Sequence, residues 1–373
     1  MVEKVRVLQV MASLDRGGAE AVVMDWLRHV DPNRIAFDFI VNDGDGRGAH
    51  EDEVVALGGR VVRAPRFKGW NVIGYALWWW RCFKDHPEWD IIHAHHTVPG
   101  FVYIPIARTL GRKVIAHSHT AGREPSLSGL IRTALRLPLR YSADLLLGCS
   151  QAAATWMFGN KEVRIIRNGI GLDRFADARS ARQSTRAILG LQESMVVGHV
   201  GRFATPKNHE RILRIFARIS AQEPSARLVL VGDGELRDVI EKRVNELGLG
   251  DTVHLLGVRK DVPELIAAMD VLLFPSLYEG LPVAVIEAQV SSLPCVVADT
   301  VTSEVAVTEG VTFMRLADTD EEWADAVMTA WVCGSERRSR VDELRAAGYD
   351  SVESANSIQE LYLRLSSSLG RRV

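Results

Sequence analysis

The chain has 373 residues, of which 47% are hydrophobic and 25% are charged. This balance is typical of globular proteins and excludes a disordered chain, and the length predicts about two domains. The formal net charge of −2 excludes a generally basic protein that binds nucleic acid.

The four cysteines lack the spacing of a metal or disulfide motif, so we expect reduced thiols in the cytoplasm. No apolar run reaches the ~18 residues of a membrane span. Residues 1–10 resemble a mixed strand rather than a signal peptide. We therefore expect a cytoplasmic protein.

One segment is strongly basic, because residues 108–140 hold seven lysines and arginines against a single acid, Glu124. Within it Arg132, Arg136 and Arg140 are spaced by four and would form one stripe on a helix. Such a stripe is typical either of a solvated helix face or of a helix on an anionic membrane. Both interpretations stay open, and the second would place the protein at the inner face of the membrane.

Buried-strand patterns alternate with helical patterns through the first half of the chain, which predicts a parallel sheet with helices on both faces. The first strand, Val5–Met11, is followed by Gly17 and Gly18 and then by a helical pattern. Two glycines at this place let backbone amides approach a phosphate or a sugar. A tight turn without a ligand explains them equally well, because the G-x-G-x-x-G fingerprint is not satisfied.

Two strand patterns, Trp89–Thr97 and Lys113–Thr120, carry histidines toward their ends. These are His93, His95 and His96 in the first and His117 and His119 in the second. The carboxyl ends of parallel strands are where open α/β sheets bind ligands. Zinc is an alternative for the first group, although no nearby cysteine or carboxylate completes a ligand set. Structural histidines are an equal alternative for the second group, and His119 is our choice for a substrate contact.

Two further features have simple structural explanations. Asp43-Gly44-Asp45 could hold a metal and a diphosphate, but Asp and Gly also form solvated turns, which is the interpretation we prefer. Trp78, Trp79 and Trp80 are consecutive and cannot share one helix face. We therefore predict core packing, with at least one indole against a neighbour other than the sheet.

Residues 171–190 are polar and rich in Arg and Ala, which predicts a linker into a second domain. The strand pattern restarts at Met195–Arg202, and a helix follows Lys207. Arg202 and Lys207 would be like charges near a positive helix end if no anion were bound, which is unfavourable. We predict that they bind a diphosphate, with charge-assisted bonds of ~1.5–3 kcal/mol each.

The stretch Ser276–Ala288 joins a buried strand to a helix that Gly280 and Pro282 would start. Glu279 lies in the turn and Glu287 about two helical turns further on. Free helix amides attract phosphate, and carboxylates accept hydrogen bonds from sugar hydroxyls. The loop around Val258, after another strand, is a candidate for holding a base.

These motifs together resemble a known family. Gly201-Arg202 with Lys207-Asn208, Gly232-Asp233-Gly234, and the stretch from Ser276 to Glu287 are similar to the retaining glycosyltransferases of family 4, which have the GT-B fold. The match spans essentially the whole chain. The first half resembles the exopolysaccharide and capsule branch through Gly17–Glu20, His93–His96, His117–Thr120 and Asn168-Gly169.

The resemblance implies an α/β protein with two Rossmann-like domains that face a central cleft. Its domains would be 1–170 on the acceptor side, a linker at 171–190, a nucleotide-sugar domain at 191–350, and a helix at 351–373 that crosses back. The implied reaction transfers a hexose or N-acetylhexosamine from a nucleotide-diphosphate sugar, UDP-linked above others, to a glycan acceptor with retention. The acceptor could be lipid-linked, and no metal, cofactor or nucleic acid is implied.

The same resemblance assigns roles to residues. Arg202 and Lys207 would bind the donor diphosphate and assist its departure, Glu279 would hold the transferred sugar, and Glu287 the ribose hydroxyls. Further donor contacts are implied for His119, Gly17, Gly18, Val258 and the amides of Gly280 and Leu281. The lysine is followed by Asn208 rather than the commoner glycine, a variant also seen in this branch.

Two other functions are compatible with these residues. A sugar-nucleotide epimerase on the same fold would turn over donor without an acceptor. A non-catalytic partner of a membrane complex would bind donor and give no product, and the intact set of Arg202, Lys207, Glu279 and Glu287 argues against it.

Overall fold

The computed structural model describes residues 4–15, 17–42, 46–95, 99–119, 139–334 and 337–369. The chain divides into two compact units. The first unit comprises Met1–Gly169 and Ser351–Val373, and the second unit comprises Ile170–Asp350. Each unit is built around one parallel sheet, as the alternation of strands and helices predicts.

The first unit contains a seven-stranded sheet in the order β3-β2-β1-β4-β5-β6-β7, with every pairing parallel. The central strands are buried along their whole length because helices cover both faces. The strands are β1 Val5–Met11, β2 Ile35–Val41, β3 Val61–Arg63, β4 Trp89–Ala94, β5 Lys113–Ser118, β6 Leu145–Gly148 and β7 Arg164–Ile165.

Seven described helices belong to this unit, and they are α1 Gly18–His29, α2 Glu51–Ala56, α3 Val72–Asp85, α4 Gly100–Thr109, α5 Leu139–Ser142, α6 Gln151–Phe158 and the last helix of the chain, α15 Ser351–Ser367. The last helix packs on the first unit through its apolar side. Tyr362 meets the Phe37 ring edge-on at 5.8 Å, and Trp26 donates a hydrogen bond of 2.9 Å to the Ser354 hydroxyl.

The second unit contains a six-stranded sheet in the order β10-β9-β8-β11-β12-β13, again all parallel. Its strands are β8 Val196–Val200, β9 Arg227–Val231, β10 Val253–Gly257, β11 Val271–Phe274, β12 Cys295–Ala298 and β13 Val311–Met314. Its α-helices are α7 Leu172–Asp177, α8 Arg182–Leu189, α9 His209–Gln222, α10 Arg237–Glu246, α11 Val262–Ala268, α12 Val283–Val290, α13 Asp320–Cys333 and α14 Val341–Ala346.

The segment 171–190, which the sequence predicts to be a linker, is helical and belongs to the second unit. The arginines of this segment fix it to the second unit. Arg182 and Arg186 both pair with Asp270, and Arg182 also donates to the carbonyls of Ala267 and Met269 at 2.7 Å. The Arg-rich composition that suggests a solvated linker therefore serves to attach this segment to the end of α11.

The three consecutive tryptophans of α3 point in different directions, as predicted. Trp79 is fully buried and stacks on Tyr103 of α4, with ring centroids 4.5 Å apart. Trp78 is half-buried, and Trp80 is exposed. The prediction of core packing against a neighbour other than the sheet is confirmed for Trp79. Among the residues that the structure describes, no helix combines the length and apolar character that crossing a bilayer requires.

Ser150 caps α6, with its hydroxyl accepting a hydrogen bond from the Ala153 amide at 3.1 Å. We expect Ser150→Ala to lower the free energy of unfolding by about 1 kcal/mol, because a buried amide loses its acceptor. Ser150→Thr keeps a hydroxyl and serves as the matched control. Urea unfolding of the two variants measures the difference, and equal midpoints would contradict the capping role.

Candidate functional site

The loops that follow β8, β9 and β10 are held together at the carboxyl edge of the second sheet. The Gly201 amide donates to the Val231 carbonyl and the Gly232 amide to the Gly257 carbonyl, each at 2.9 Å. Gly232 has a φ of +140°, and a Cβ there would lie 2.0 Å from the Gly201 carbonyl oxygen. Only glycine fits this close approach.

Lys207 lies at the end of a 3₁₀ turn, Thr205–Lys207, directly before α9. The following residue, Asn208, has a left-handed φ of 57°, and its side chain donates to the Pro275 carbonyl at 3.1 Å. The Leu277 amide donates to the Pro206 carbonyl at 2.8 Å. These two bonds hold the lysine turn against the stretch Ser276–Ala288.

The result is an ion pair between two of the predicted site residues. Lys207 Nζ donates to Glu279 Oε1 at 2.6 Å and lies 4.7 Å from the centroid of the Phe274 ring. The two side chains are 19% and 15% exposed, so water reaches both of them while most of each is covered. An ammonium with three donor positions at a strand edge is able to bind an anion, and the carboxylate is able to accept from hydroxyls.

Arg202 is in the same loop but is not part of this pair. Its guanidinium is exposed and pairs with Glu235 at 3.2 Å. An exposed ion pair of this kind contributes ~0–1 kcal/mol, so Arg202 can exchange partners at little cost. The two cations that the sequence places at a diphosphate thus each have a carboxylate partner in this structure.

The remaining predicted residues of the second unit follow β10 and β11 along the chain. Gly280 and Leu281 are buried directly before Pro282, which is the N-cap residue of α12. Glu287 lies half-buried on that helix. Val258 is exposed directly after β10.

Two buried histidines near Lys207 have no motif that identifies them in the sequence. His199 on β8 and His209 at the start of α9 have ring centroids 5.0 Å apart. Burial lowers the pKa of His209 to about 4, with the Lys207 charge adding to the effect. Burial also holds the pKa of His199 well below its usual range, with neighbouring His209 as the next cause. Both rings are therefore neutral at pH 7.

In the first unit the structure brings four of the predicted histidines together. His93 on β4 and His95 just after it project from one face, as period-two alternation requires. His117 on β5 and His119 just after it do the same on the neighbouring strand. His93 Nε2 lies 3.2 Å from His117 Nδ1, and His95 Nδ1 lies 2.8 Å from His119 Nε2.

Two residues that the sequence does not single out connect these pairs into one chain of hydrogen bonds. Gln9 Oε1 lies 2.8 Å from His95 Nε2, and Gln9 Nε2 donates to the Tyr362 hydroxyl at 3.1 Å. The Tyr362 oxygen lies 2.6 Å from His93 Nδ1. The six-residue chain is called the histidine chain below and runs His119–His95–Gln9–Tyr362–His93–His117.

The amide of Gln9 sets the direction of the histidine chain. Its carbonyl oxygen can only accept, so His95 Nε2 carries the proton and His95 Nδ1 accepts from His119 Nε2. A neutral His119 then has its lone pair on Nδ1, a buried atom with no hydrogen-bond partner among the described residues. This atom can accept a hydrogen bond from a hydroxyl group.

Burial keeps all four rings neutral. It lowers the pKa of His119 to about 4, and it holds the pKa values of His93, His95 and His117 well below the usual range, with the neighbouring histidines adding to the effect. The Trp26 ring stacks on His93 and on His117, with centroids 5.9 Å apart in each case. The indole thus excludes water from one side of the histidine chain.

His93, His95 and His117 each place one ring nitrogen within 4.8 Å of the others, a spacing that a metal ion could use. Five of their six ring nitrogens, however, already have hydrogen-bond partners in the histidine chain. The sixth, His117 Nε2, is buried and has no hydrogen-bond partner among the described residues.

Gly17 is the extended N-cap residue of α1, and Gly18 is its first residue. A Cβ on Gly17 would lie 2.2 Å from a carboxylate oxygen of Glu20, whereas Gly18 has open space around it. Several predicted residues lie outside the described ones, namely His96, Asp43, Gly44, Asp45, Arg132 and Arg136. Of the basic stripe only Arg140 is described, and its guanidinium is half-buried beside Gly159.

Comparison with known proteins identifies the family. The sequence model described as Glycosyltransferase Family 4 matches residues 16–174, and the one described as Glycosyl transferases group 1 matches residues 181–344. The Bacillus subtilis (strain 168) protein EpsF, which is named as a glycosyltransferase, is 32% identical over 370 residues and covers 96% of each chain. The chain belongs to glycosyltransferase family 4.

Other relatives of this glycosyltransferase match over part of its length. An Escherichia coli enzyme named UDP-Gal:α-D-GlcNAc-diphosphoundecaprenol α-1,3-galactosyltransferase is 30% identical over 229 residues, which is 57% of this chain and 58% of that enzyme. Among solved structures, Anabaena HepE in complex with UDP aligns with a TM-score of 0.77 at 21% identity, covering 98% of this chain and all of the other. WaaG, a glycosyltransferase involved in lipopolysaccharide biosynthesis, aligns with a TM-score of 0.70. The fold of the glycosyltransferase is GT-B, as its two parallel-sheet α/β units predict.

Proposed function

We propose that this glycosyltransferase moves a hexose or N-acetylhexosamine from a nucleotide-diphosphate sugar to a glycan acceptor with retention at the anomeric carbon. The observation that carries the proposal is the ion pair of Lys207 and Glu279 at the carboxyl edge of the second sheet. It joins a phosphate-binding group and a hydroxyl-binding group in one place, and a nucleotide sugar presents both partners side by side.

In this proposal Lys207 exchanges Glu279 for the donor diphosphate. The ammonium then stabilises the negative charge that develops on the leaving nucleotide as the bond to the sugar breaks. Arg202 leaves its weak pair with Glu235 and adds a second cation. Glu279, released from the lysine, accepts hydrogen bonds from hydroxyls of the transferred sugar. The acceptor hydroxyl attacks from the same face as the departing diphosphate, and its proton passes to the diphosphate oxygen that leaves the sugar.

Other residues of this edge bind the rest of the donor. The amides of Gly280 and Leu281 are proposed to meet sugar and phosphate oxygens before α12 begins, because a helix N-terminus favours anions. Glu287 is proposed to hold the ribose hydroxyls. The base is proposed to lie on the loop that starts at Val258. The cations and helix terminus supply the charge stabilisation, so we propose that no metal is required.

UDP is the nucleotide we propose for the donor. Solved structures of Anabaena HepE, which share the fold, are complexes with UDP and with UDP-glucose. The E. coli relative is named for transfer from UDP-Gal to a diphosphoundecaprenol-linked sugar. The same name supports a lipid-linked glycan as the acceptor, and WaaG supports a role in polysaccharide synthesis.

The residues of the first unit have separate tests. We propose that His119 accepts a hydrogen bond from a hydroxyl of the donor sugar through Nδ1, and that the Gly17-Gly18 amides bind the donor. His119→Phe should then weaken binding of UDP-sugars and leave binding of UDP unchanged. Equal binding of UDP-glucose by the variant and the parent protein would remove His119 from the site.

A thermal-shift screen across UDP, GDP, ADP and dTDP sugars tests the donor class directly. A ligand at roughly 100 times its dissociation constant should stabilise the protein by ~2.7 kcal/mol. We expect this shift with UDP-sugars alone. A protein that no nucleotide sugar stabilises, and that neither hydrolyses nor transfers any of them, would refute the proposal.

The stereochemistry is tested with the donor found in that screen. Proton NMR of the first product formed should show the anomeric configuration of the donor, because retention is proposed. Inversion would contradict the proposed mechanism but would still be compatible with a transferase. Conversion of the donor into an epimer without an acceptor would assign the protein to the epimerases instead.

A further inference from the structure

The first unit carries a stripe of large apolar side chains that face water. Trp70, Ile73, Leu77 and Trp80 are 80%, 76%, 51% and 48% exposed. Their spacing of three, four and three residues places them on one face of α3 and the turn before it. We call these four residues the α3 stripe. Monomeric soluble proteins rarely expose a contiguous row of such side chains without a use for it.

The α3 stripe is not part of the core of the unit. The opposite face of α3 provides the core residues, where Tyr75, Trp79 and Phe83 are fully buried. Tyr75 also donates a hydrogen bond to the Asn42 side chain at 2.8 Å, which fixes the rotation of the helix. The helix is therefore apolar on two faces, and among the described residues of the unit only the face with Tyr75, Trp79 and Phe83 is covered.

Cations flank the α3 stripe at both ends. Lys68 lies over the Trp70 ring at 5.7 Å, and Lys84 lies over the Trp80 ring at 5.6 Å. Arg66 and Arg81 are exposed nearby, and the only acid between residues 66 and 85 is Asp85. The segment thus has an excess of three positive charges around its apolar face.

This combination identifies the partner by its chemistry. Tryptophans prefer the boundary between the acyl chains and the headgroups of a bilayer, and flanking lysines and arginines are attracted by anionic headgroups. A protein partner would need acidic groups placed at both ends of the apolar row, whereas an anionic bilayer presents negative headgroups along its whole surface. A helix that lies in the membrane surface needs both features at once.

We propose that the α3 stripe docks the first unit on an anionic lipid bilayer, with Trp70, Ile73, Leu77 and Trp80 entering the headgroup region. This site differs from the basic stripe at Arg132, Arg136 and Arg140 that the sequence suggests. It requires neither donor nor acceptor, so it stands independently of the proposed reaction.

The test is flotation of the full chain with vesicles of phosphatidylcholine alone and with vesicles containing 30% phosphatidylglycerol, at low and at physiological salt. We expect binding to the anionic vesicles, weaker at the higher salt. A triple variant, Trp70→Ser, Leu77→Ser and Trp80→Ser, should reduce the bound fraction at least tenfold. Lys68→Glu with Lys84→Glu should also reduce it severalfold.

Matched controls come from the second unit, where Ile188 and Val332 are 81% and 70% exposed. Ile188→Ser and Val332→Ser remove exposed apolar surface of similar kind and should leave flotation unchanged. Circular dichroism of every variant confirms that the fold is retained. Transfer to a water-soluble acceptor should be the same in the triple variant and in the parent protein, because the α3 stripe is outside the donor site.

Three results would overturn the proposal. Flotation that the triple variant retains, and that replacing Arg132, Arg136 and Arg140 with glutamate abolishes, would assign membrane binding to the basic segment. A dimer in light scattering that the triple variant dissociates, with no flotation of the parent protein, would assign the α3 stripe to a second copy of the chain. Absence of both flotation and dimer formation would leave the stripe without the proposed role.

Discussion

Replacing Lys207 with alanine is expected to lower kcat/KM for sugar transfer by about 10²–10³-fold, the range found when one preorganised stabiliser of a developing charge is removed. Lys207 is the cation that the structure holds at the edge of the second sheet, fixed by the turn before α9 and by its pair with Glu279. The loss should appear largely in kcat, because the charge on the leaving diphosphate grows as the bond breaks.

The measurement is steady-state transfer with the donor identified by the thermal-shift screen. Lys242→Ala is the matched control, because Lys242 belongs to the same unit, is exposed, and pairs only loosely with Glu246 at 3.8 Å. Lys207→Arg separates charge from shape, since a planar guanidinium does not replace a compact ammonium at a tight site. A reduction of less than about threefold in folded Lys207→Ala protein would show that the lysine does not act on the leaving group.

A double-mutant cycle distinguishes catalysis from simple ion pairing. If Lys207 and Glu279 served only to hold each other, then Lys207→Met combined with Glu279→Gln would lose no more activity than the worse single variant. If each binds its own part of the donor, the losses in kcat/KM should multiply. Nucleotide affinity gives a second readout, because Lys207→Met should weaken UDP binding and Glu279→Gln should leave it nearly unchanged.

The sheets of both units could be predicted from the sequence because their strands are short apolar runs closed by breakers. The predicted strand Val5–Met11 agrees with the structure at both ends. Predicted strands that end in histidines were too long, since β4 ends at Ala94 and β5 at Ser118. His93 and His117 lie within the observed strands, whereas His95 and His119 lie just beyond them, and the four side chains contact one another. A pattern of single residues contains no information about such pairing.

The partners within the candidate site could not be predicted for the same reason. Lys207 and Glu279 are 72 residues apart. The sequence predicts that each binds a ligand and gives no indication that they pair with each other. Gln9 and Tyr362 are 353 residues apart, and neither carries a motif. Gln9 does stand out in one respect, because it is a polar side chain within the buried apolar run Val7–Met11 and therefore requires a buried partner. That signal predicts a hydrogen bond without naming the other residue.

The segment 171–190 shows that composition alone does not distinguish a linker from part of a folded unit. Arginine and alanine in a polar segment are typical of solvated helices and of linkers alike. What decides between them is whether the guanidinium groups find fixed acceptors, and here Asp270 and the carbonyls at the end of α11 provide them. The sequence does not show which carbonyls will accept these hydrogen bonds, because every residue has one.

Lowering the pH from 7.5 to 5.5 is expected to reduce the free energy of unfolding of the first unit by about 4–5 kcal/mol. The cause is the histidine chain, in which burial lowers the pKa of His119 to about 4 and depresses those of His93, His95 and His117 as well. In the unfolded chain each of the four would titrate near 6.5. Their stabilising effect is therefore complete above pH 6.5 and is lost as the pH falls toward 4.

Urea unfolding followed by tryptophan fluorescence measures this effect, because seven of the nine tryptophans belong to the first unit. The slope of the unfolding free energy against pH near 5.5 should correspond to an uptake of about four protons on unfolding. His117→Gln should reduce that uptake by about one, because it removes one of the four buried rings. A change of less than about 1 kcal/mol between pH 7.5 and 5.5 would mean that the four rings are not held neutral.

The size of this effect follows from the connection of the rings. A proton that enters any one of them adds a charge that Trp26 and the surrounding strands shield from water, and it also breaks the direction of the hydrogen bonds that Gln9 sets. The next proton meets that charge at ring distances of 4.1–5.5 Å. Protonation within the folded unit is thus opposed by both burial and repulsion, and unfolding is the route by which the four histidines accept their protons together. Stability is thereby linked to the Nδ1 lone pair of His119, because the neutral state that supports the fold is the one in which that atom can accept a hydrogen bond from a hydroxyl group.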